Sequence, residues 1–254
     1  MRESERRYRE VQTELAHANR VATMGQLAAS IAHEVNQPIA ATVANAYASQ
    51  RWLAAQPPNL GEVGQVLERI IKDANRAADV LGRIRKLIRK APPQCQPVDL
   101  NEAIREMVEF THGPATKHGA QVQTQLAQDL PYIKGDRVEL QQVLLNLIIN
   151  ALEAMESVDE GARQLWVNTA LDNAGGVQVE VRDSGPGFAF ESTEQVFVPF
   201  YTTKPTGLGM GLSICRSIIE THGGRLWASA NQPRGAVVQF TLPAYPVESV
   251  SDGL

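Results

Sequence analysis

The chain has 254 residues but only two cysteines, Cys95 and Cys215. They lie far apart in segments of different character, without metal-ligand spacing, so both read as reduced thiols of a cytoplasmic protein. No run approaches the roughly 20 apolar residues that span a bilayer. The charged opening, Met1 to Glu10, lacks the apolar core of a signal peptide. The expectation is a soluble chain without direct membrane contact; its being one piece of a longer, membrane-anchored receptor stays open. Charge excess is also small. A net charge of −4 sets up no global field for nucleic acid or an anionic surface. A local basic run, Arg83, Arg85, Lys86, Arg89 and Lys90, fits a solvated helix end favoured by the helix dipole. The Gly-Lys-Ser/Thr ending of a P-loop is missing, and so are internal repeats and low-complexity tracts.

What is present is a globular balance. The chain is 43% apolar and 20% charged, enough for a core in one large domain or two ordinary ones. Residues 1 to about 90 read as helix, broken at Gln56-Pro57-Pro58-Asn59-Leu60-Gly61. The second arm carries Val63, Leu67, Ile70, Ala74, Ala77, Leu81, Ile84 and Ile88 at alternating steps of four and three, a heptad seam. The first arm offers Val21, Met24, Ala28, Ile31, Val35, Pro38 and Thr42 in a similar alternation. Two such helices joined by a short turn make an antiparallel hairpin. Its seam is half exposed until two copies pair into a four-helix bundle, so a homodimer is expected.

Ala91-Pro92-Pro93-Gln94-Cys95-Gln96-Pro97 then breaks the helix. Beyond it Asp99 with Glu102, and Asp136 with Glu139, resemble capping boxes that open helices. The second of these helices runs to about Met155. Val122, Thr124 and Leu126 alternate as a strand, as do residues 164–171 and 177–182. A helix over Leu212–Thr221 is followed by strands near 225–230 and 236–242. This mixture predicts an α/β sandwich, one helical layer on one mixed sheet.

Five strings carry the chemistry. In His33-Glu34-Val35-Asn36-Gln37-Pro38, an imidazole on the outer face of the first helix presents a neutral nitrogen nucleophile, with Glu34 beside it to take a proton. His17, His112, His118 and His222 read instead as surface residues, the last at a helix end. Asn146 and Asn150 stand four apart on one helical face; their amide oxygens suit a hydrated Mg ion, and backbone bonding would serve them equally well. Asp183-Ser184-Gly185-Pro186-Gly187 ends a strand with a carboxylate able to accept an adenine amine, though alone it reads as an Asp-Gly turn. Gly207-Leu208-Gly209-Met210-Gly211-Leu212 opens a helix and exposes amides to a phosphate. It is no dinucleotide fingerprint, lacking the βαβ unit. Between the last two, Phe197 and Phe200 can hinge a loop, and Lys204 or its threonines can reach a phosphate.

In this order the strings resemble the sensor histidine kinase family over nearly the whole chain, most like the subgroup of oxygen- and dicarboxylate-sensing kinases. His33–Pro38 is similar to the H box, Asn146–Asn150 to the N box, Asp183–Gly187 to the G1 box, Phe197–Phe200 to the F box and Gly207–Gly211 to the G2 box. The resemblance implies a signalling helix over 1–20, and a dimerisation and phosphotransfer hairpin over 21–91. A linker over 92–98, a Bergerat-type (GHKL) ATP-binding α/β sandwich over 99–245 and a tail over 246–254 complete the chain. It implies that His33 is the phospho-acceptor and Glu34 its base, that Asn150 ligates Mg while Asn146 supports the phosphates of ATP, and that Asp183 recognises adenine. Gly185, Gly187, Gly207, Gly209 and Gly211 would shape the loops, and Thr241 would help Asp183 at the base. Phosphate would then pass to an aspartate in the receiver domain of a response regulator.

Three departures stand out. The interval from Lys204 to Gly207 is short. Glu153 occupies a position often basic in the family, which shifts a phosphate contact toward Lys204. Gln37 stands where Thr or Asn commonly orients a water for reverse dephosphorylation. Two other readings fit the strings less well. ATPases resembling gyrase, Hsp90 and mismatch-repair proteins place a glutamate base where Asn146 stands, and an asparagine cannot act as that base. A helical scaffold with a degenerate nucleotide site conflicts with candidates in every box.

Overall fold

The computed structural model describes residues 35–88, 94–158, 161–188, 193–202 and 209–245, with isolated positions 14, 18, 21, 25 and 32. The chain divides into two compact units, one over Ala22–Arg89 and one holding Met1–Val21 with Lys90–Leu254.

In the first unit, a helix described over 35–54 (α1) is joined to α2, Leu60–Ile88. Asn59 starts α2, its Oδ1 accepting from the Glu62 amide at 3.1 Å. Val35, Pro38, Thr42, Asn45 and Ser49 of α1 are shielded from solvent, as are Val63, Val66, Ile70, Asp73 and Ala77 of α2. Both sets step by three and four, and Asn45 Nδ2 donates to Asp73 Oδ2 at 3.3 Å across the hairpin. The seam of α2 is half exposed in the single chain, as expected: Val63, Ile70 and Ala77 turn inward, and Leu67, Ala74 and Leu81 lie on an exposed stripe. That stripe holds Leu60, Leu67 and Ile71, at 70%, 49% and 61% exposure, matched on α1 by Ile39, Val43 and Leu53. Apolar residues thus occupy both the edge of the seam that faces α1 and the edge left exposed.

The second unit is the expected sandwich. Strands β2 (Ala120–Leu126), β4 (Arg163–Leu171), β5 (Val177–Asp183), β7 (Ala236–Leu242) and β6 (Arg225–Ala230) form one sheet in that spatial order. Only the β2–β4 pair is parallel. Helices α3 (Leu100–Phe110), α5 (Arg137–Ala154) and α6 (Gly211–Thr221) form the other layer, with α5 between its neighbours. Both expected caps exist: Asp99 Oδ1 accepts from the Glu102 amide at 3.0 Å, and Asp136 Oδ1 from those of Val138 and Glu139 at 2.8 and 3.0 Å. Leu144, Ile148 and Leu152 of α5 and Val167, Val179 and Phe240 of the sheet are fully buried between the two layers.

Two strands and one α-helix escaped the sequence reading. The final residues of the expected linker form β1 (Gln96–Val98), which pairs with β3 (Ile133–Gly135). Each is three residues long, too short to show a period of two, and Pro97 is tolerated because β1 is an edge strand. The third is the six-residue helix α4, His112–Lys117. His222 ends α6 as expected but is not a surface residue: its side chain is 5% exposed.

Candidate functional site

Strand β5 alternates strictly. Val177, Val179 and Val181 face the helices, and the same register carries Asp183 to the core side, at 5% exposure. One oxygen is satisfied locally, since Oδ1 accepts from the amides of Gly185 at 2.8 Å and Ala236 at 3.1 Å. Burial raises the carboxyl above its ordinary range, and those two amides pull it partly back. Among the described residues Oδ2 has no hydrogen-bond partner, which leaves it free for a ligand donor. Asn231 Nδ2 donates to the Asp183 carbonyl at 2.9 Å and fixes the strand end. Gly235, at φ +115°, is required there, because a β-carbon would run into that carbonyl.

The C-terminal half of α5 lies beside this turn. A β-carbon on Gly185 would sit 3.4 Å from the Ala154 carbonyl carbon and 2.9 Å from Asp183 Oδ1. One turn back, the Asn150 amide points toward the start of α6: Nδ2 is 3.7 Å from where a β-carbon on Gly211 would lie. At that start Met210, in the cap position, makes no side-chain hydrogen bond, so among the described residues the cap residue does not satisfy the first amides. The first amides of α6 therefore face outward with the positive end of the helix dipole behind them.

Asn146, four residues before Asn150, is 4% exposed. Its Nδ2 donates to Cys215 Sγ at 3.7 Å, locking α5 to α6. Burial, opposed by that contact, pushes the Cys215 thiol up to about 12. Cys215 and Cys95 are both free, the first buried and the second exposed.

The structure thus brings Asn146, Asn150, Asp183, Gly185 and Gly211 to the shared end of α5, β5 and α6. Gly187, at φ +82°, packs its α-carbon against Gly235, and Gly209, at φ +66°, lies against Phe200 and Tyr201. Thr241 is not part of this group. Strand β7 runs antiparallel to β5, so Thr241 pairs with Gln178 at the far end, roughly 17 Å along the strand from Ala236. Asp183 meets the backbone of Ala236 instead. Phe197 is buried in a short 3-10 helix, Gln195–Phe197, while Phe200 is 74% exposed. Gln37 is exposed on α1. His33, Glu34, Lys204 and Gly207 lie outside the described residues.

Sequence reasoning missed Ala236, Asn231 and Cys215. The first acts through a backbone amide and carries no residue-type signal. The second sits in Asn231-Gln232-Pro233-Arg234-Gly235, a turn string between two strands that a closer reading could have flagged.

Comparison with known proteins places this geometry. A family model described as "Histidine kinase-, DNA gyrase B-, and HSP90-like ATPase" matches residues 135–246, and one described as "His Kinase A (phospho-acceptor) domain" matches residues 23–92. Sensor protein FixL of Bradyrhizobium diazoefficiens is 38% identical over 95% of this chain and 48% of its own length. The C4-dicarboxylate transport sensor protein DctS of Rhodobacter capsulatus is 36% identical over 90% of this chain and 35% of its own length. The chain therefore spans less than half the length of these curated relatives.

Among solved structures, the catalytic domain of histidine kinase ThkA matches at TM-score 0.53 and 34% identity, over 59% of this chain and 96% of that one. ThkA in complex with the response regulator protein TrrA matches at TM-score 0.52 and 26% identity, over 94% of this chain and 67% of that one. No helix among the described residues is long and apolar enough to cross a membrane. With a phospho-acceptor module followed by an ATP-binding α/β sandwich, the chain belongs to the sensor histidine kinase family.

Proposed function

We propose that this chain is the transmitter of a sensor histidine kinase, working on the cytoplasmic side: it binds Mg-ATP, phosphorylates its own His33, and passes the phosphoryl group to an aspartate of a response regulator receiver domain. The hairpin over 21–91 carries the acceptor and the domain over 99–245 the nucleotide, with 1–20 as the incoming helix, 92–98 as the connection and 246–254 as a tail.

The observation that carries the nucleotide reading is the arrangement around the end of α5. Asn150 faces the uncapped start of α6 on one side, and Asp183 presents its second carboxylate oxygen on the other. Asp183 supplies an acceptor for the adenine amine from a dry site, where a hydrogen bond discriminates best. The amides of α6, with Gly209 and Gly211, cradle phosphate oxygens, and Lys204 and Gly207 extend that cradle. A magnesium ion fits the donor set, since Asn150 brings an amide oxygen and Asn146 stands behind it. When bound, Mg neutralises charge that builds on the phosphates.

In the transfer, a ring nitrogen of His33 attacks the γ-phosphorus. The nitrogen–phosphorus bond forms as the bond to the bridging oxygen breaks, ADP leaves with that electron pair, and Glu34 takes the ring proton. Gln37, exposed on α1, is suited to orient a water for the reverse dephosphorylation. The exposed stripe of Ile39, Val43, Leu60, Leu67 and Ile71 supports a homodimer through the hairpin. A response regulator as partner is supported by ThkA, a similar chain solved with TrrA.

The test is incubation with γ-labelled ATP and Mg. Wild type is expected to acquire acid-labile, base-stable label that His33→Gln lacks. Equal labelling of both proteins overturns the assignment of His33.

A further inference from the structure

Helix α6 carries, little more than a turn beyond Gly211, an arginine whose partners among the described residues lie on the segment before the helix. The Arg216 guanidinium stacks on the Phe197 ring, 3.9 Å from its centroid. Its Nη2 donates to Glu194 Oε2 at 3.1 Å. Phe197 is 4% exposed and Arg216 is half-buried, so the stack is shielded from water and stronger than a surface pair. The same segment reaches Gly209 three residues later, where the Phe200 amide donates to the Gly209 carbonyl at 2.9 Å.

Both partners of that backbone bond adopt left-handed conformations, Phe200 at φ +68° and Gly209 at φ +66°. For a bulky side chain this geometry is unfavourable and persists only where the surroundings enforce it. The fit is also tight. A β-carbon on Gly209 would lie 2.6 Å from the Phe200 carbonyl carbon and 2.8 Å from the Tyr201 oxygen. Residues 194–201 therefore buttress Gly209, and Arg216 clamps the foot of that buttress to α6.

We propose that Arg216 is a positioning residue for nucleotide binding. By holding Glu194 and Phe197 it fixes the Phe200–Gly209 pair, and so the turn that aims the first amides of α6. This rests on the reading of that turn as the phosphate cradle. Arg216 donates nothing to the reacting atoms, so its removal weakens binding and leaves the rate at saturating nucleotide nearly unchanged. Its guanidinium is committed to Phe197 and Glu194, which separates this role from direct contact with phosphate. Under the clamp, Glu194→Gln weakens binding. Under direct contact, the same change frees a cation and tightens it.

The experiment measures, on the full chain, the Kd of Mg with a non-hydrolysable ATP analogue by calorimetry, the autophosphorylation rate at saturating ATP, and Tm. Arg216→Ala is expected to raise Kd about five- to tenfold, and Glu194→Gln and Phe197→Leu about two- to threefold each. Arg216→Lys, which keeps the ion pair, should recover part of the loss. The saturated rate should stay within about twofold for all four variants. Arg225→Ala, which removes an arginine from the Trp227 ring on the outer sheet face, should leave Kd unchanged.

A wild-type Kd for Arg216→Ala, tighter binding by Glu194→Gln, or a saturated rate that falls in step with affinity each overturns the clamp. If Arg216→Ala does not fold, Glu194→Gln and Phe197→Leu decide the matter by the same criteria. Failure of the wild type to bind the analogue overturns the nucleotide reading itself, a distinct result.

Discussion

The backbone amide of Asp136, which caps α5, donates to Nε2 of His222, which ends α6, at 3.0 Å. The other ring nitrogen, Nδ1, lies 2.8 Å from the Ile218 carbonyl. With a backbone N–H directed at Nε2, Nδ1 is the ring nitrogen left to donate to that carbonyl, so the two contacts fix the ring between α5 and α6. Asp136 Oδ2 also accepts from the Gln94 amide, so one node joins the connecting segment to the two helices that form the candidate site.

Replacing His222 by alanine orphans the Asp136 amide and opens a cavity beside Gly135, whose missing side chain makes room for the ring. The buried unpaired donor costs about 1–3 kcal/mol. Thermal unfolding should show Tm lower by roughly 3–10 °C at constant pH. Gly135→Ala should destabilise as well, because its β-carbon would strike His222 Cδ2 at 2.5 Å. A Tm unchanged in both variants would remove this node from the account of stability.

Asp183 sets function against stability. Burial raises its carboxyl, so the folded chain holds a proton at pH values where the unfolded chain has released it. Its contribution to stability is therefore full below the ordinary carboxylate range and is lost as pH rises; at neutral pH the buried charge is a cost. Asp183→Asn keeps an oxygen for the amides of Gly185 and Ala236 and removes that charge. The variant should melt above wild type at pH 7, with the difference shrinking toward pH 4. Nucleotide affinity should nonetheless fall about tenfold to a hundredfold, because a donor replaces the acceptor offered to adenine. Calorimetric melts across pH, paired with binding isotherms, read both effects.

The strands were legible because half-buried sheet residues repeat every second position. Val177, Val179 and Val181 not only marked β5 but put Asp183 on its core face. The helices that carry Asn146 and Gly211 were equally legible from their caps and apolar runs. What could not be read was pairing. The resemblance places Thr241 beside Asp183, but β7 runs antiparallel to β5, which brings the first residue of β7, not its sixth, to the carboxylate. The stripe on α2 was ambiguous for a related reason. Leu67 and Ile70 are equally apolar, and only the position of α1 decides which one turns inward.

The two thiols should differ sharply in reactivity. Cys95 is exposed, whereas Cys215 is buried against Asn146 and its thiol is pushed up to about 12, so it stays protonated at neutral pH. An aromatic disulfide reagent at pH 8 should titrate one thiol per native chain quickly and the second only after denaturant is added. Rapid reaction of both in the native protein would mean that the packing between α5 and α6 opens readily.

The two glycines flanking Met210 separate architecture from chemistry. Gly209 sits at φ +66° with backbone atoms of Phe200 and Tyr201 closing the space around it. Gly209→Ala must therefore distort the turn, at a cost of about 1–2 kcal/mol from the backbone conformation alone, and should lower both Tm and nucleotide affinity. Gly211 adopts an ordinary helical conformation, and its nearest obstacle is Asn150 Nδ2 at 3.7 Å, a normal van der Waals distance. Gly211→Ala should fold as well as wild type or better, since alanine favours a helix over glycine by about 0.5–1 kcal/mol. Its methyl group, however, would lie between the Asn150 amide and the first turn of α6, where phosphate and magnesium are expected. A variant with unchanged or raised Tm and an autophosphorylation rate at least about tenfold lower would tie that gap to catalysis. If Gly211→Ala keeps the wild-type rate, Asn150 does not act across it.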